Sequence, residues 1–406
     1  MGQLLPLPLP VPLRPLPVPP AEASPAPAGG GSSGWDQRRR LWWLLWSRCP
    51  GLGWRRLVAL EQACGSLEEA WRLAPERLRR LPGWGDALVE QVVAHRRFWG
   101  EDPLAPGGRP LPDPRRLLLP GDPALPPAVR WLERPPLALH WAGRGSLWPL
   151  LRRRQAVAVV GTRRPSLHGL SMARQLGQAL AAAGWPVVSG LAEGIDGAVH
   201  EGCLQGGGAP VAVLGTPLER VYPRHHAPLQ RRVEQQGLLL TEQPPGTPVR
   251  PGHFAERNRL QVALAAAVVV VECPPRSGAL HSAERAWREG LPLWVVPGDA
   301  GKASALGSNR LLARGATPLL EPADWIRQLG PGPLRPRRQG RAPELAVLPA
   351  PPGPQDALLR AVGAGASLEQ LCLRLDQPAE QVLPALVRLE VEGVLRAEPG
   401  LCWRPR

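Results

Sequence analysis

The stretch Val157-Ala158-Val159-Val160-Gly161-Thr162-Arg163 reads as a buried strand that ends in a glycine, a hydroxyl and a guanidinium. The glycine lets the chain turn sharply where the strand stops. The hydroxyl, the guanidinium and the main-chain amides that follow suit the holding of a phosphate. A dinucleotide site would show G-x-G-x-x-G here, and a P-loop G-x-x-x-x-G-K-[ST]. Gly161-Thr162-Arg163-Arg164-Pro165-Ser166 shows neither. The loop therefore holds an anion by another arrangement, or it is only a turn.

Outward from this strand the same rhythm repeats. Strands are predicted near 156–160, 187–189, 211–214, 238–242, 267–272, 293–297 and 317–320. Helices fill the gaps, for example 169–183, 197–206, 255–265 and 278–290. Short apolar strands alternating with amphipathic helices predict an α/β domain over 150–325, a parallel sheet with helices on both faces. Such sheets bind ligands in the crevice at the carboxyl ends of their strands, so function is expected in the loops that follow the strands.

Those loops share a chemistry. In Ser189-Gly190-Leu191-Ala192-Glu193-Gly194-Ile195-Asp196, serine and glycine stand where an NAD enzyme would place an acid for the ribose. Gly190 and Gly194 allow backbone to approach a ligand closely. Asp196 is predicted to cap a helix that begins at Gly197, with His200 four residues on. An acid–histidine catalytic pair fits that spacing, but a capping aspartate beside a structural histidine is preferred. Phe254-Ala255-Glu256-Arg257-Asn258-Arg259 offers two cations, Arg257 and Arg259, with Asn258 able to donate and accept. Phe254 is one of two phenylalanines, and Tyr222 is the only tyrosine. Aromatics beside arginines suit stacking a base while its phosphate is held; the alternative is that both rings are core and only the charges face out. Arg276, Ser277 and Gly278 repeat the anion-holding set, and Pro297-Gly298-Asp299 precedes Gly307-Ser308-Asn309 at another helix start. A path of phosphate sites fits an extended single strand better than one small cofactor. No cofactor, no metal site and no catalytic set are expected.

The flanks read differently. Residues 1–34 alternate leucine and proline and predict a disordered, polyproline-like tail, since prolines forbid the apolar helix of a signal peptide. Residues 35–100 predict a small helical domain of helix-hairpin-helix (SAM-like) type. Pro50-Gly51-Leu52-Gly53 and Pro82-Gly83-Trp84-Gly85 each precede an apolar-periodic helix. That turn either grips a DNA backbone or is a tight turn in a packing module, and the clusters Arg38–Arg40 and Arg79-Arg80 fit either reading. Residues 101–149 are expected to connect, adding a strand or two to the sheet edge. Residues 326–353 read as a linker. Residues 354–406 predict a winged helix, with Ser367 as N-cap and Gln370 completing a capping box. Its proposed recognition helix carries Glu380, Glu390 and Glu392 against Arg388. That favours a protein-contact or regulatory module over a sequence-specific reader.

The chain has 406 residues and a formal charge of +15, which favours a polyanionic partner. Lys302 is the only lysine, so nearly all that charge is arginine, whose fork grips phosphate oxygens in pairs. None of the six cysteines lies in a C-x-x-C pair, and they read as reduced, buried thiols. No apolar run is long enough to span a bilayer, so no membrane partner is expected.

In order, VAVVGTRRPS, SGLAEGIDGAVH, AVLGTPLERVYP, FAERNRL, VVVVECPPRSGALHSA, VPGD and GSNRLLARGA closely resemble the DNA-processing protein A family (DprA, also called Smf). The resemblance covers about 150–320 and, more weakly, both ends. It implies an extended Rossmann-like domain in a cytoplasmic, homodimeric protein that binds single-stranded DNA and loads RecA during natural transformation, and that is not an enzyme. It carries DNA contacts to Gly161, Thr162 and Arg163, to Phe254, Arg257, Asn258 and Arg259, and to Arg276, Ser277 and Gly278. Ser166, Ser189, Gly190, Gly194 and Asn309 are expected to join them from the same loops. Gly215-Thr216-Pro217-Leu218-Glu219 and His226 depart from the family pattern. A nucleotide phosphoribohydrolase is the competing reading. Such enzymes carry P-G-G-x-G-T-x-x-E, and here the glycine pair is missing from Pro275–Glu284. A duplex-reading transcription factor is a third, opposed by the acidic helix.

Overall fold

The computed structural model describes residues 35–105, 109, 111, 116–335, 354–363, 365–398 and 402–405. The expected tail over 1–34 and most of the expected linker, 336–353, lie outside the described residues. Two compact units, Met1–Arg335 and Pro336–Arg406, divide the chain.

The first unit opens with helices α1 (Gln37–Ser47), α2 (Trp54–Cys64), α3 (Leu67–Arg72), α4 (Pro75–Arg79) and α5 (Asp86–Trp99). Both P-G-x-G turns are real turns. Gly51 and Gly83 have φ of +78° and +79°, a region that favours glycine, and Gly53 and Gly85 are the N-caps of α2 and α5. Their surroundings differ. A side chain at Gly51 would meet Gln91 of α5, whereas Gly83 faces open space. At the open turn, however, α5 begins with Asp86, which accepts a bond from Arg79 at 2.8 Å. The first turn of α5 thus carries an acid, which disfavours a phosphate there. A tryptophan-rich core holds the helices together, including Trp43, Trp46 and Trp71.

The connecting segment supplies β1 (Leu117–Leu118), α6 (Pro127–Arg130) and β2 (Leu139–Gly143). As expected, it adds two strands to the sheet edge: β2 pairs antiparallel with β6, and β1 with β2. Leu117 belongs to the helical core and Leu118 to the sheet core, so this edge joins the two. Trp43 also donates to the carbonyl of Leu137 at 2.8 Å.

After α7 (Trp148–Arg152), the doubly wound part runs β3 (Val157–Val160), α8 (Leu167–Ala183), β4 (Val187–Ser189), α9 (Ile195–Gln205), β5 (Pro210–Leu214), α10 (Ala227–Gln236), β6 (Leu238–Thr241), α11 (Pro251–Ala263) and β7 (Ala267–Val270). It continues through α12 (Gly278–Arg288), β8 (Leu293–Val295), α13 (Leu306–Ala313), β9 (Thr317–Pro318) and α14 (Pro322–Leu329). The sheet order is β1-β2-β6-β5-β4-β3-β7-β8-β9, with β3 to β9 all parallel to one another. The period of two is visible in β3. Val157 and Val159 pack with Leu176, Val199 and Trp325 of α8, α9 and α14, whereas Ala158 and Val160 pack with Leu260 and Ala283 of α11 and α12. Trp325 and Leu329 are buried in this core, so the segment expected to open the linker at 326 is still part of the sheet domain.

The second unit comprises α15 (Pro354–Val362), β10 (Ala366–Ser367), α16 (Leu368–Leu375), α17 (Ala379–Val391), β11 (Leu395–Glu398) and β12 (Cys402–Pro405). Its strands form one antiparallel sheet, β10-β12-β11. Ser367 caps α16 in a full capping box with Gln370. No disulfide joins the six cysteines; Cys49, Cys203 and Cys273 are buried as expected, and burial pushes their thiols up to about 12, whereas Cys64, Cys372 and Cys402 are only half-buried because they lie at the edges of their cores. Among the described residues no helix is long and apolar enough to cross a membrane.

Candidate nucleic-acid interface

The chain builds the sheet outward from β3 through β4, β5 and β6, then returns to build β7, β8 and β9 on the other side. The order reverses between β3 and β7, the place where open parallel sheets bind their ligands. Beyond the carboxyl ends of these strands lies a cleft of about 560 Å3. Gly161, Thr162 and Arg163 line it from the loop after β3. Phe254, Arg257 and Asn258 line it from α11, and Arg276, Ser277 and Gly278 from the start of α12. These expected site residues come together across a separation of more than a hundred positions.

The rim carries the free charge. Arg163, Arg164 and Arg276 are exposed, and none makes an ion pair with a described residue. The Arg163 guanidinium lies 5.1 Å from the centre of the Phe254 ring. Tyr222, itself exposed, lies tilted against the same ring at 4.9 Å and 47°. Phe254 is half-buried and lines the cleft, whereas Tyr222 is exposed and does not line it, so neither ring belongs to the core. Asn258 donates to the Gly278 carbonyl at 3.2 Å and ties α11 to the start of α12.

The two helix starts beside the cleft are not equivalent. At α8, the Ser166 hydroxyl caps the helix by accepting from the Gly169 amide at 3.2 Å. The Ser166 amide and hydroxyl in turn donate to the Glu272 carboxylate at 3.1 and 2.8 Å. Glu272 is buried. Burial alone would raise its carboxyl, but hydrogen bonds from Ser304 and Ser166 together outweigh that and hold it below the usual carboxylate range. An internal carboxylate thus fills the place where a dinucleotide fold would put a pyrophosphate. Ser166 is engaged in the same way and does not line the cleft. At α12, Ser277 caps the Ala279 amide at 3.2 Å, the first turn holds no acid, and Gly278 is exposed. This helix start, with Arg276 beside it, is open to an anion.

The other expected contacts are internal. Arg257 is 4% exposed; it pairs with Asp196 at 3.3 Å and donates to the Gly190 carbonyl at 3.1 Å. Burial lowers its guanidinium, and Asp196 opposes the shift. Gly190 is required for that approach, since a Cβ there would overlap the Arg257 guanidinium. Arg259 pairs with Glu242 at 2.5 Å, part-buried and outside the cleft. The Ser189 hydroxyl is fully buried and donates to Val159 of the neighbouring strand at 2.7 Å. Gly194, at φ +82°, is the N-cap of α9, and a side chain there would strike the Thr162 carbonyl. Asp196 is therefore not the cap but lies in the first turn as partner of Arg257. His200 is wholly buried, and burial pushes it down to about 3, so it is structural. Asn309 accepts from the Gly298 amide and donates to its carbonyl, both at 3.0 Å, and so holds the loop after β8.

Two contributors were missed in the sequence. Glu272 ends its strand without any local sign that it faces Ser166. Gln261 was detectable in principle, because it lies four residues after Arg257 and seven after Phe254 on one helix face. It lines the cleft. Glu284, where a phosphoribohydrolase would place its catalytic acid, pairs instead with Arg314 at 2.5 Å and does not line the cleft.

A family model described as DNA recombination-mediator protein A matches residues 116–330. The chain belongs to this family. DNA recombination-mediator proteins of this kind bind DNA and are not enzymes. Protein Smf of Synechocystis sp. is 30% identical over 393 residues, covering 90% of this chain and 98% of that protein. The DNA processing protein A structure from Streptococcus pneumoniae superposes with a TM-score of 0.56 at 26% identity, covering 72% of this chain and 98% of that one. The Helicobacter pylori DNA processing protein A, described for its single-stranded DNA binding mode, is 31% identical over 50% of this chain and 92% of that one, with a TM-score of 0.46.

Proposed function

We propose that this family member binds single-stranded DNA along the strand-end rim, protects incoming DNA and loads RecA onto it during natural transformation and recombination. It acts as a homodimer in the cytoplasm. One observation carries the reading: guanidinium groups at Arg163 and Arg276, without a carboxylate partner among the described residues, line the same cleft as Phe254, against whose ring the exposed Tyr222 is tilted. Cations that track phosphates beside rings that stack bases are what an unpaired polynucleotide needs. The Glu272 carboxylate at α8 speaks against a dinucleotide cofactor. Family membership supports the RecA and dimer parts.

Fluorescence anisotropy of labelled oligo-dT across a salt series tests the DNA reading. Affinity is expected to fall linearly with salt on a log–log plot, and Arg163→Ala to reduce the slope by about 0.7. Salt-independent binding, or wild-type binding by Arg163→Ala, would overturn it. Turnover of nucleoside monophosphates would favour the phosphoribohydrolase reading instead. Faster RecA nucleation on single strands and a two-chain mass by light scattering are expected; failure of either removes that part alone.

A further inference from the structure

Gln261 lies on the cleft side of α11, and its side chain has no exposed surface. Neither its Nε2 nor its Oε1 has a hydrogen-bond partner. The cleft it lines is also walled by the small apolar Val160, Ala192 and Ala279 and by the buried Asp196 and Arg257, which pair with each other. A buried carboxamide with both groups unanswered destabilises the free protein, and an apolar side chain of similar length would pack there without that cost. Such a group finds its partner in a bound ligand or an ordered water.

We propose that Gln261 is a specificity-determining residue whose carboxamide pairs with the hydrogen-bonding edge of one nucleobase of the bound strand. The inference rests on the single-stranded DNA reading above. A carboxamide offers one donor and one acceptor side by side, the complement of an edge such as thymine O4 and N3–H. Nε2 donates to O4 and Oε1 accepts from N3–H. The ring passes Phe254, while its phosphates stay outside on Arg163 and Arg276. The cleft, about 560 Å3, has room for one base and its sugar.

Anisotropy with the full chain and three oligonucleotides of equal length tests this: oligo-dT, an N3-methylthymidine oligomer and an abasic oligomer. Wild type is expected to bind oligo-dT about tenfold more tightly than the N3-methylated strand, a comparison that needs no variant. Gln261→Met is expected to lose about tenfold on oligo-dT and nothing on the abasic strand, with a Tm equal to or above wild type. A lower Tm with equal losses on both strands would mean a water-bridged structural amide and overturn the inference. So would undiminished oligo-dT binding by Gln261→Met, or competition by thymidine monophosphate as strong as that of a nucleotide within the strand. If wild type binds all three strands alike, the base contact fails and the phosphate reading stands. If it binds none, the single-stranded DNA reading itself has failed.

Discussion

Arg257 and Arg163 contribute to one cleft and do opposite things. Arg257 is buried, paired with Asp196 and bonded to the Gly190 carbonyl; Arg259 is likewise held by Glu242. Arg163 and Arg276 are exposed, with no carboxylate partner among the described residues. The inner arginines brace the loops, and the outer ones remain available to an anion. A basic motif therefore divides its labour: residues adjacent in sequence to a binding cation need not touch the ligand.

Removing the inner charge is expected to have the largest effect. Arg257→Ala leaves Asp196 buried and unpaired, and should lower unfolding stability by about 3–5 kcal/mol, read as a fall in the urea midpoint. An unchanged midpoint would place Arg257 with the outer set.

Acid should act on the interior next. Burial holds His95 and His140 at about 4 and His200 at about 3, all below the ordinary 6.5. The unfolded chain takes up these protons first. Stability is therefore full above about pH 6.5 and declines as pH falls towards the folded values. One such histidine costs about 2 kcal/mol by about pH 5. Glu272, also lowered, adds to the loss only below the ordinary carboxylate range. Urea titrations at stepped pH check the direction, and stability that rises on acidification would be wrong in sign.

Substitutions at the rim are expected to be smaller and of a different kind. Arg163→Ala should weaken oligo-dT binding about tenfold while moving stability by less than about 0.5 kcal/mol. Arg276→Lys keeps a charge but loses the fork, so a loss of about twofold to threefold is expected in the same anisotropy assay. If that variant fell as far as Arg163→Ala, the open start of α12 would contribute more than the loop after β3.

Much of this was legible in the sequence, because its signals are local. The strands, the glycine-ended loops and the two added edge strands follow from periodicity and composition, and the Ser367 capping box from a three-residue spacing. What stayed hidden depends on distant pairings. Ser166 meets Glu272 106 positions away, and Arg257 meets Asp196 61 positions away. Nothing within either loop reveals that its serine or arginine is already engaged. The sequence pattern starts this helix at Gly197 with Asp196 as its cap, whereas the helix begins two residues earlier, where Gly194 takes that role through its positive φ.

Hydrogen exchange followed by mass spectrometry, with and without oligo-dT, compares the candidate DNA surfaces in one measurement. Protection concentrated in 161–165, 254–261 and 276–280 is expected, with the turns at 50–53 and 82–85 and helix α17 unchanged. Protection of those turns or of α17, with the cleft segments unaltered, would contradict a strand-end site for single-stranded DNA.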